Sequence, residues 1–253
     1  MQKFTLRKVY VFFFSVLIFM LHLPVAFSSS KSLVFKSPEF ISTVVRAENA
    51  VASRAEFVAS LYVSMGLNLK GLSEEVFTSA MQGFDKLTNE GKIRNHKLLT
   101  IVDFTRSSTL KRLFVLDVEN QEIIFNTYVA HGQGSGKEFA NQFSNIPDSY
   151  QSSLGFYETS GTYNGKNGYS MKLRGLEKGI NDMAEYRAVV VHGAPYVSES
   201  FIGSKGYLGR SHGCPALPEK LNKTIIDKIK NGSCLFIYSK TGSYLNKSKV
   251  LNS

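Results

Sequence analysis

The chain has 253 residues, of which 43% are hydrophobic, and it carries 30 Lys and Arg against 20 Asp and Glu, a formal charge of +10 at pH 7. This length predicts one good-sized domain with a sizeable core, and only two cysteines exclude a disulfide-dense scaffold. The basic residues are dispersed without an aromatic stacking motif, which argues against a nucleic-acid-binding protein and favours a modest attraction to anionic polymers.

The N-terminus has the layout of a secretory signal. Lys3, Arg7 and Lys8 precede an uncharged apolar run over residues 9–25, which ends in small residues at the spacing of a cleavage site. We therefore predict a signal peptide over residues 1–28 and an exported protein of the periplasm or cell envelope. An uncleaved anchor is the alternative, because the run approaches the roughly 20 residues needed to span a bilayer.

Two helices are predicted after a Ser-rich linker over residues 29–48. Apolar residues at steps of three and four predict an amphipathic helix over residues 49–66, which ends at a glycine. A second helix begins after Ser73 as N-cap and stops at Gly91. Residues 49–95 thus form a predicted helical hairpin. The second helix should bury Val76, Phe77, Ala80, Met81, Phe84 and Leu87.

The periodicity then changes to that of β-strands. Segments rich in Val, Ile, Leu and Phe predict strands over residues 98–104, 112–118 and 122–130, with a hairpin turn at 119–121. The glycine-rich region at 131–187 should form short strands and ordered loops rather than helix.

The C-terminal part predicts two buried strands around one helix. The first strand delivers His192 at its end, the second covers residues 234–238, and the helix covers residues 218–230. The fold class is therefore mainly β with helices (α+β). Residues 96–240 form the predicted main domain, followed by a tail at 241–253.

A thiol and two imidazoles lie in one short window and indicate nucleophilic chemistry. A free thiol has a pKa of about 8.5, so a catalytic cysteine needs a base or a positive field to lower it. His192, followed by Gly193, is suited to be the base of Cys214. The backbone N–H groups of Gly213 and Cys214 are candidate oxyanion donors.

Two other kinds of site share some of these residue types. A zinc site built from His192, His212 and Cys214 has the ligand types of a catalytic zinc, but no HExxH or CxxC spacing supports it. A papain-like protease is disfavoured because the histidine precedes the cysteine and the chain has no Trp. Cys234, within an apolar run, is interpreted as core filler, and we predict no disulfide between it and Cys214.

Four segments together carry a resemblance to a known family. They are Ala130-His131-Gly132, the run from Ser144 to Tyr157, His192-Gly193-Ala194, and Ser211-His212-Gly213-Cys214 with Pro215-Ala216-Leu217-Pro218. In this combination the chain resembles the L,D-transpeptidase (YkuD-type) catalytic domain, in the murein L,D-transpeptidase branch. The resemblance covers residues 50–240.

The resemblance implies a β-sandwich catalytic domain preceded by the helical hairpin. Cys214 would attack a peptidoglycan stem tetrapeptide, expel the terminal D-Ala and form a thioester. His192 would be the general base, with its imidazole oriented by the backbone carbonyl of Gly193. Gly213 with Cys214 would stabilise the oxyanion.

The remaining site residues also follow from the resemblance. His212 would line the pocket and Ser211 would fix the loop. Tentative substrate contacts are Tyr157, Tyr169 and Ser149, which fall where the family builds its substrate cleft, with packing roles as the alternative. Arg210, directly before the motif, is a further tentative contact because a guanidinium can bind a stem-peptide carboxylate; a solvated surface arginine is the alternative. One departure is Pro215-Ala216, since the more widely shared pattern has an Asn or Arg there. His131 is interpreted as a structural or rim residue.

The expected protein is an exported acyltransferase of the bacterial cell wall that passes the stem peptide to an acceptor amine. An L,D-carboxypeptidase or crosslink hydrolase, with water as acceptor, is the alternative, and a non-catalytic murein-binding protein is another. No metal or organic cofactor is expected. Peptidoglycan stem peptides are the expected partners of a monomer without an obligate protein partner.

Overall fold

The computed structural model describes residues 38–252, with side chains at residue 50 and from residue 52 on. The chain divides into two units, Met1–Asn49 and Ala50–Ser253, and the second contains everything discussed below except the start of the first helix. The predicted signal peptide lies outside the described residues. Within residues 38–252 no helix is both long and apolar enough to cross a membrane.

Within the described residues, two α-helices precede the strands, as predicted. Helix α1 is Pro38–Ser64, so residues 38–48 are helical where a linker was expected. Proline suits a helix start because its missing N–H needs no partner there. Helix α2 is Glu74–Asn89, and the Ser73 side chain accepts a hydrogen bond from the Val76 N–H. All six side chains predicted to be buried on α2 are buried.

Eight strands form one mixed sheet. They are β1 Leu98–Asp103, β2 Leu113–Asp117, β3 Glu122–Thr127, β4 Gly155–Gly165, β5 Gly168–Gly175, β6 Val190–Ala194, β7 Ala216–Pro218 and β8 Cys234–Tyr238. Their order is β3-β2-β1-β8-β4-β5-β6-β7. The β1–β8 and β6–β7 pairs are parallel and the others are antiparallel. The α+β class is confirmed.

The two edges of this sheet are joined by the chain that follows β3. Ala130 forms an antiparallel bridge with Ala216 of β7, and Gly132 forms a parallel bridge with Ser211. The Ala130 N–H donates to the Ala216 carbonyl at 2.9 Å. The sheet is therefore closed in a barrel-like manner, and the closure lies directly beside residues 211–215, the predicted nucleophile loop.

The glycine-rich region contains a long hairpin rather than only short strands, namely β4 and β5 with a tight turn at Gly165 and Gly168. Three further helices follow: α3 Glu199–Lys205, α4 Glu219–Ile229 and α5 Gly242–Lys247. Helix α4 matches the prediction, whereas α3 and α5 were not predicted. Helix α5 lies in the segment expected to be a tail.

Helix α4 packs on one face of the sheet next to β6. Gly193 of β6 faces α4, where an added Cβ would lie 3.0 Å from the Cβ of Asn222. His192 points to the opposite face because neighbouring side chains of a strand alternate. His192 lies within β6 rather than at its end.

Candidate active site

Cys214 lies in the loop that leads into β7, with its side chain partly buried. The Val190 N–H donates to Sγ at 3.4 Å, and the thiol donates to the Ala188 carbonyl at 3.8 Å. Burial raises the pKa of the Cys214 thiol, while the Val190 N–H and the Arg187 charge act in the opposite direction. The net direction is opposite to the lowering that a reactive cysteine was expected to show.

His192 is 5% exposed and is held by its own strand. Its Nδ1 lies 2.9 Å from the Gly193 carbonyl oxygen. A carbonyl only accepts hydrogen bonds, so Nδ1 carries the proton and Nε2 presents a lone pair. Burial lowers the pKa of His192, partly offset by the Gly193 carbonyl. The imidazole is therefore neutral at pH 7 and able to accept a proton.

Cys214, in the loop before β7, and His192, in β6, lie on adjacent segments and are not hydrogen-bonded to each other. The parallel register pairs His192 with Ala216, which follows Cys214 by two residues. Among the described contacts, the thiol's partners are Ala188 and Val190, and Nε2 of His192 has none. The structure thus holds the thiol against the start of β6.

Ser211 determines the shape of the nucleophile loop. Its Oγ donates to the Cys214 carbonyl at 2.6 Å and accepts from the Gly213 N–H at 3.0 Å. The Gly213 N–H was predicted to be an oxyanion donor and is instead engaged by Ser211. Within the described residues the N–H groups of His212 and Cys214 have no acceptor, so Cys214 keeps one donor for an oxyanion.

A second loop, residues 144–153, packs against the nucleophile loop. Gly213 has φ +127°, and an added Cβ would lie 2.8 Å from the Gln151 carbonyl oxygen. Ser152 Oγ donates to the Gly213 carbonyl at 3.2 Å and accepts from the Gly132 N–H at 3.0 Å. The two loops are therefore in close backbone contact, which only glycine at position 213 permits.

His212 is exposed and lies on the outer side of the loop. Its ring meets the Tyr150 ring edge-on, with 4.6 Å between centroids. Tyr150 has φ +53°, a conformation that non-glycine residues rarely adopt. The sequence analysis did not single out Tyr150, which forms the rim of the site with His212.

Two of the four tentative substrate contacts lie near the nucleophile loop. Ser149 Oγ accepts from Arg187 Nη2 at 3.3 Å. Arg210 immediately precedes Ser211, donates to the Gly136 carbonyl at 3.1 Å and lies over the Tyr207 ring. Its guanidinium has further N–H groups for an anionic ligand.

The other two lie elsewhere. Tyr157 of β4 is fully buried, and its hydroxyl donates to the Ser153 carbonyl at 2.9 Å. Tyr169 lies next to Ser170, which pairs with His192, so its side chain points to the opposite face of the sheet. Its hydroxyl donates to Asp227 of α4 at 2.7 Å. Both tyrosines support the core and α4 rather than the site.

Arg187 is a site residue that sequence analysis missed. Its Nη1 donates to the Ser144 carbonyl and to Ser153 Oγ, and its Nη2 to Ser149 Oγ and the Gln151 carbonyl, over 2.5–3.3 Å. Nη2 also lies 3.4 Å from the position of a Cβ on Gly213. Its sequence signal is faint: a single Arg directly before a buried strand.

His131 has a structural role. It is fully buried, with Nδ1 2.7 Å from Nη2 of the fully buried Arg112 and its ring edge against Phe104. Burial, followed by the Arg112 charge, lowers the pKa of His131 to about 3. The neutral imidazole thus accepts a hydrogen bond from a buried guanidinium behind the site.

The two cysteines are free thiols, and Cys234 is fully buried in β8. No group of three or more His, Cys, Asp and Glu side chains in the described part of the chain could hold a metal ion. A cavity of about 460 Å³ lies on the far side of loop 144–153, and Ser144, Gln151, Leu154 and Tyr244 are among its lining residues.

A family model described as the L,D-transpeptidase catalytic domain matches residues 68–238. A search of curated proteins found no match.

Several solved structures are similar at low identity. An L,D-transpeptidase from Mycobacterium smegmatis is 14% identical, with a TM-score of 0.36, over 56% of this chain and 59% of that one. The helical cell shape determining protein Pgp2 from Campylobacter jejuni is 15% identical, with a TM-score of 0.39, over 64% and 56%. An L,D-transpeptidase from Xylanimonas cellulosilytica is 12% identical, with a TM-score of 0.35, over 66% and 81%. The chain thus spans less than two thirds of the first two.

Proposed function

The chain belongs to the L,D-transpeptidase catalytic domain family, whose model covers residues 68–238, and we propose that it is an exported, cysteine-dependent enzyme acting on peptidoglycan stem peptides. The observation that carries this proposal is the arrangement of His192 and Cys214. A neutral, buried imidazole with a free Nε2 lies two residues along β6 from Val190, whose N–H bonds the Cys214 thiol, and the backbone N–H of Cys214 has no acceptor among the described residues. These are the base, nucleophile and oxyanion donor that acyl transfer needs.

In the first half-reaction, the Cys214 side chain turns from Ala188 towards His192, and Nε2 takes the thiol proton. The sulfur attacks the carbonyl that precedes the terminal D-Ala of a stem tetrapeptide, and the Cys214 N–H hydrogen-bonds the developing oxyanion. When the C–N bond breaks, the leaving amine takes the proton from His192. Free D-Ala departs and the tripeptide remains as a thioester on Sγ.

In the second half-reaction, an acceptor amine attacks the thioester while Nε2 of His192 takes its proton. The C–S bond breaks, the new amide leaves, and the proton returns to the Cys214 sulfur. Water in place of the amine gives a free tripeptide by the same steps. Transfer and hydrolysis therefore differ only in which nucleophile reaches the thioester.

The donor peptide is anionic, and Arg210 is the proposed contact for its carboxylate. It lies directly before the nucleophile loop, with guanidinium N–H groups beyond the one that bonds Gly136. A planar guanidinium binds a carboxylate through two parallel hydrogen bonds. Export through the predicted signal over residues 1–28 would bring the enzyme to this substrate.

The test uses the purified full chain with defined disaccharide tetrapeptides, and mass spectrometry of the products. Crosslinked dimers with loss of D-Ala support transpeptidation, whereas tripeptides alone indicate the carboxypeptidase. Cys214→Ala should abolish both products, and Cys234→Ala, at the other cysteine, should retain them. Products from Cys214→Ala at the wild-type rate would refute the thioester mechanism. N-terminal sequencing of chain recovered from the cell envelope tests cleavage near residue 28.

A further inference from the structure

The Arg187 guanidinium donates four hydrogen bonds to a single loop. Its four acceptors are two carbonyls and two hydroxyls, all within residues 144–153, and none is a carboxylate. A half-buried guanidinium that is bonded only to neutral oxygens keeps its positive charge uncompensated by an ion-pair partner. The Arg187 side chain therefore holds loop 144–153 in place and also keeps a net positive charge.

Loop 144–153, which Arg187 holds, packs against the nucleophile loop. The Gln151 carbonyl, which accepts from Arg187, lies 2.8 Å from the position of a Cβ on Gly213. Ser152, the next residue, bonds the Gly213 carbonyl. A shift of loop 144–153 would thus change the backbone directly before Cys214.

The residues that follow Arg187 contact the sulfur itself. Ala188 has φ +51°, and its carbonyl accepts from the thiol, while the Val190 N–H donates to Sγ. The Val190 contact persists when the thiol becomes a thiolate, whereas the Ala188 contact does not, because a carbonyl cannot bond an anion. Neither Pro215 nor Ala216 brings a charge to this place, whereas Arg187 Nη2 lies 3.4 Å from the position of a Cβ on Gly213, the residue before Cys214.

We propose that Arg187 is a positioning residue of the Cys214 reaction, which fastens loop 144–153, the neighbour of the nucleophile loop, to the segment before β6 and stabilises the thiolate with its uncompensated charge. The proposal rests on the proposed function only in taking Cys214 as the nucleophile. In the acylation step, the negative charge that forms on Sγ when His192 takes the proton lies in the field of Arg187. The charge also raises the fraction of Cys214 that is thiolate in the free enzyme.

The test is the pH dependence of iodoacetamide alkylation of the full chain, which requires no peptidoglycan substrate. Mass spectrometry of the Cys214 peptide follows the reaction, since Cys234 is fully buried. Arg187→Gln should raise the apparent pKa of Cys214 and slow alkylation near neutral pH by about tenfold, the effect of one pKa unit. Arg187→Lys, which keeps the charge but lacks the fork, should slow it by less than about threefold.

The matched control is Arg210→Gln, which removes one positive charge close to the same loop without touching loop 144–153. It should leave the alkylation profile within experimental error of the wild type. An Arg187→Gln profile that equals the wild-type profile would overturn the electrostatic part of the proposal. If Arg187→Gln does not fold, as judged by circular dichroism, Arg187→Lys provides the test: a thiol pKa raised by about one unit would overturn the electrostatic part, because lysine keeps the charge.

With lysine at position 187, an unchanged thiol pKa together with a kcat at least about tenfold lower supports both parts of the proposal. A kcat equal to the wild-type value overturns the fastening role. Failure of the proposed thioester mechanism is recognised separately. In that case Cys214→Ala would form products at the wild-type rate, whatever the alkylation of the Arg187 variants shows.

Discussion

The hydroxyl of Ser211 donates to the carbonyl of Cys214 at 2.6 Å, across the two residues that separate them. The same oxygen accepts from the Gly213 N–H. These two bonds close a tight turn in front of the thiol and occupy one of the two N–H groups that sequence analysis had assigned to the oxyanion. The Cys214 N–H is left as a donor that the turn itself does not use.

Ser211→Ala tests this role. The change leaves the buried Gly213 N–H without an acceptor, and an unsatisfied buried donor costs about 1–3 kcal/mol. We expect the free energy of unfolding to fall by that amount. We also expect a kcat at least about tenfold lower, because the Cys214 N–H is no longer oriented towards the oxyanion. Urea unfolding and steady-state kinetics measure both, with Ser204→Ala on exposed α3 as the control. Normal kcat in Ser211→Ala would contradict the assignment.

Gly213→Ala should be far more damaging than an alanine at an unconstrained glycine. At φ +127° a Cβ would meet the Gln151 carbonyl oxygen at 2.8 Å, and strain of this kind costs about 1–3 kcal/mol. Gly203→Ala is the matched comparison, since nothing lies within 4 Å of its added Cβ and alanine in a helix is favoured by up to about 1 kcal/mol. The midpoint temperature of thermal unfolding should thus fall for Gly213→Ala and rise for Gly203→Ala.

The acid limb of kcat/KM should report His192. Burial lowers its pKa, so the neutral imidazole that accepts the proton persists below the ordinary value of 6.5. Activity should therefore be retained on moderate acidification and fall only when the pH drops below 6.5. A pH–rate profile on a defined tetrapeptide measures this limb. An acid limb above pH 6.5 would show that His192 is not held neutral as described.

Sequence reasoning succeeded where the signal is local. Ser73 and the apolar spacing after it define α2 because an N-cap and a helical period lie within one short segment. The hydrogen bond between His192 and the Gly193 carbonyl, which the family resemblance implied, also joins adjacent residues. Strand β8 was predicted at its observed bounds from a short run of apolar residues.

It failed where a residue's role depends on distant partners. Helix α5 buries only Tyr244, whose hydroxyl donates to Glu177, so its periodicity carries little signal. Arg187 bonds residues far upstream, and nothing beside it in the chain indicates that. Tyr157 resembles a cleft aromatic in sequence but lies in the core, because the face of β4 that is buried follows from the whole sheet.

Two tyrosines make this distinction testable. Tyr157→Phe removes the hydrogen bond to the Ser153 carbonyl and should lower the free energy of unfolding by about 1 kcal/mol, with KM unchanged. Tyr150→Ala removes a ring that is 43% exposed against His212 and should raise KM with little effect on unfolding. Kinetics and urea unfolding of both variants measure this. A raised KM in Tyr157→Phe with normal stability would instead support a role for Tyr157 in substrate binding.

His131 should make the protein sensitive to acid. Burial lowers its pKa to about 3, against 6.5 for a free histidine, so between these values the unfolded chain binds a proton that the folded chain does not. Its stabilising contribution is therefore fully present above pH 6.5 and is lost as the pH falls, by about 1.4 kcal/mol per pH unit.

The buried carboxyls of Asp103 and Glu177 act in the opposite sense, because burial raises their pKa and the folded state then holds protons more tightly than the unfolded chain. The net slope of wild-type stability against pH thus combines opposing contributions, that of His192 among them, and a variant is needed to isolate the contribution of His131. His131→Gln keeps an acceptor for Arg112 but does not titrate. Urea unfolding at pH 7 and at lower pH should show it less stable than wild type at pH 7, with a smaller loss on acidification. An equal loss in both proteins would mean that His131 is protonated in the folded state as readily as in the unfolded one.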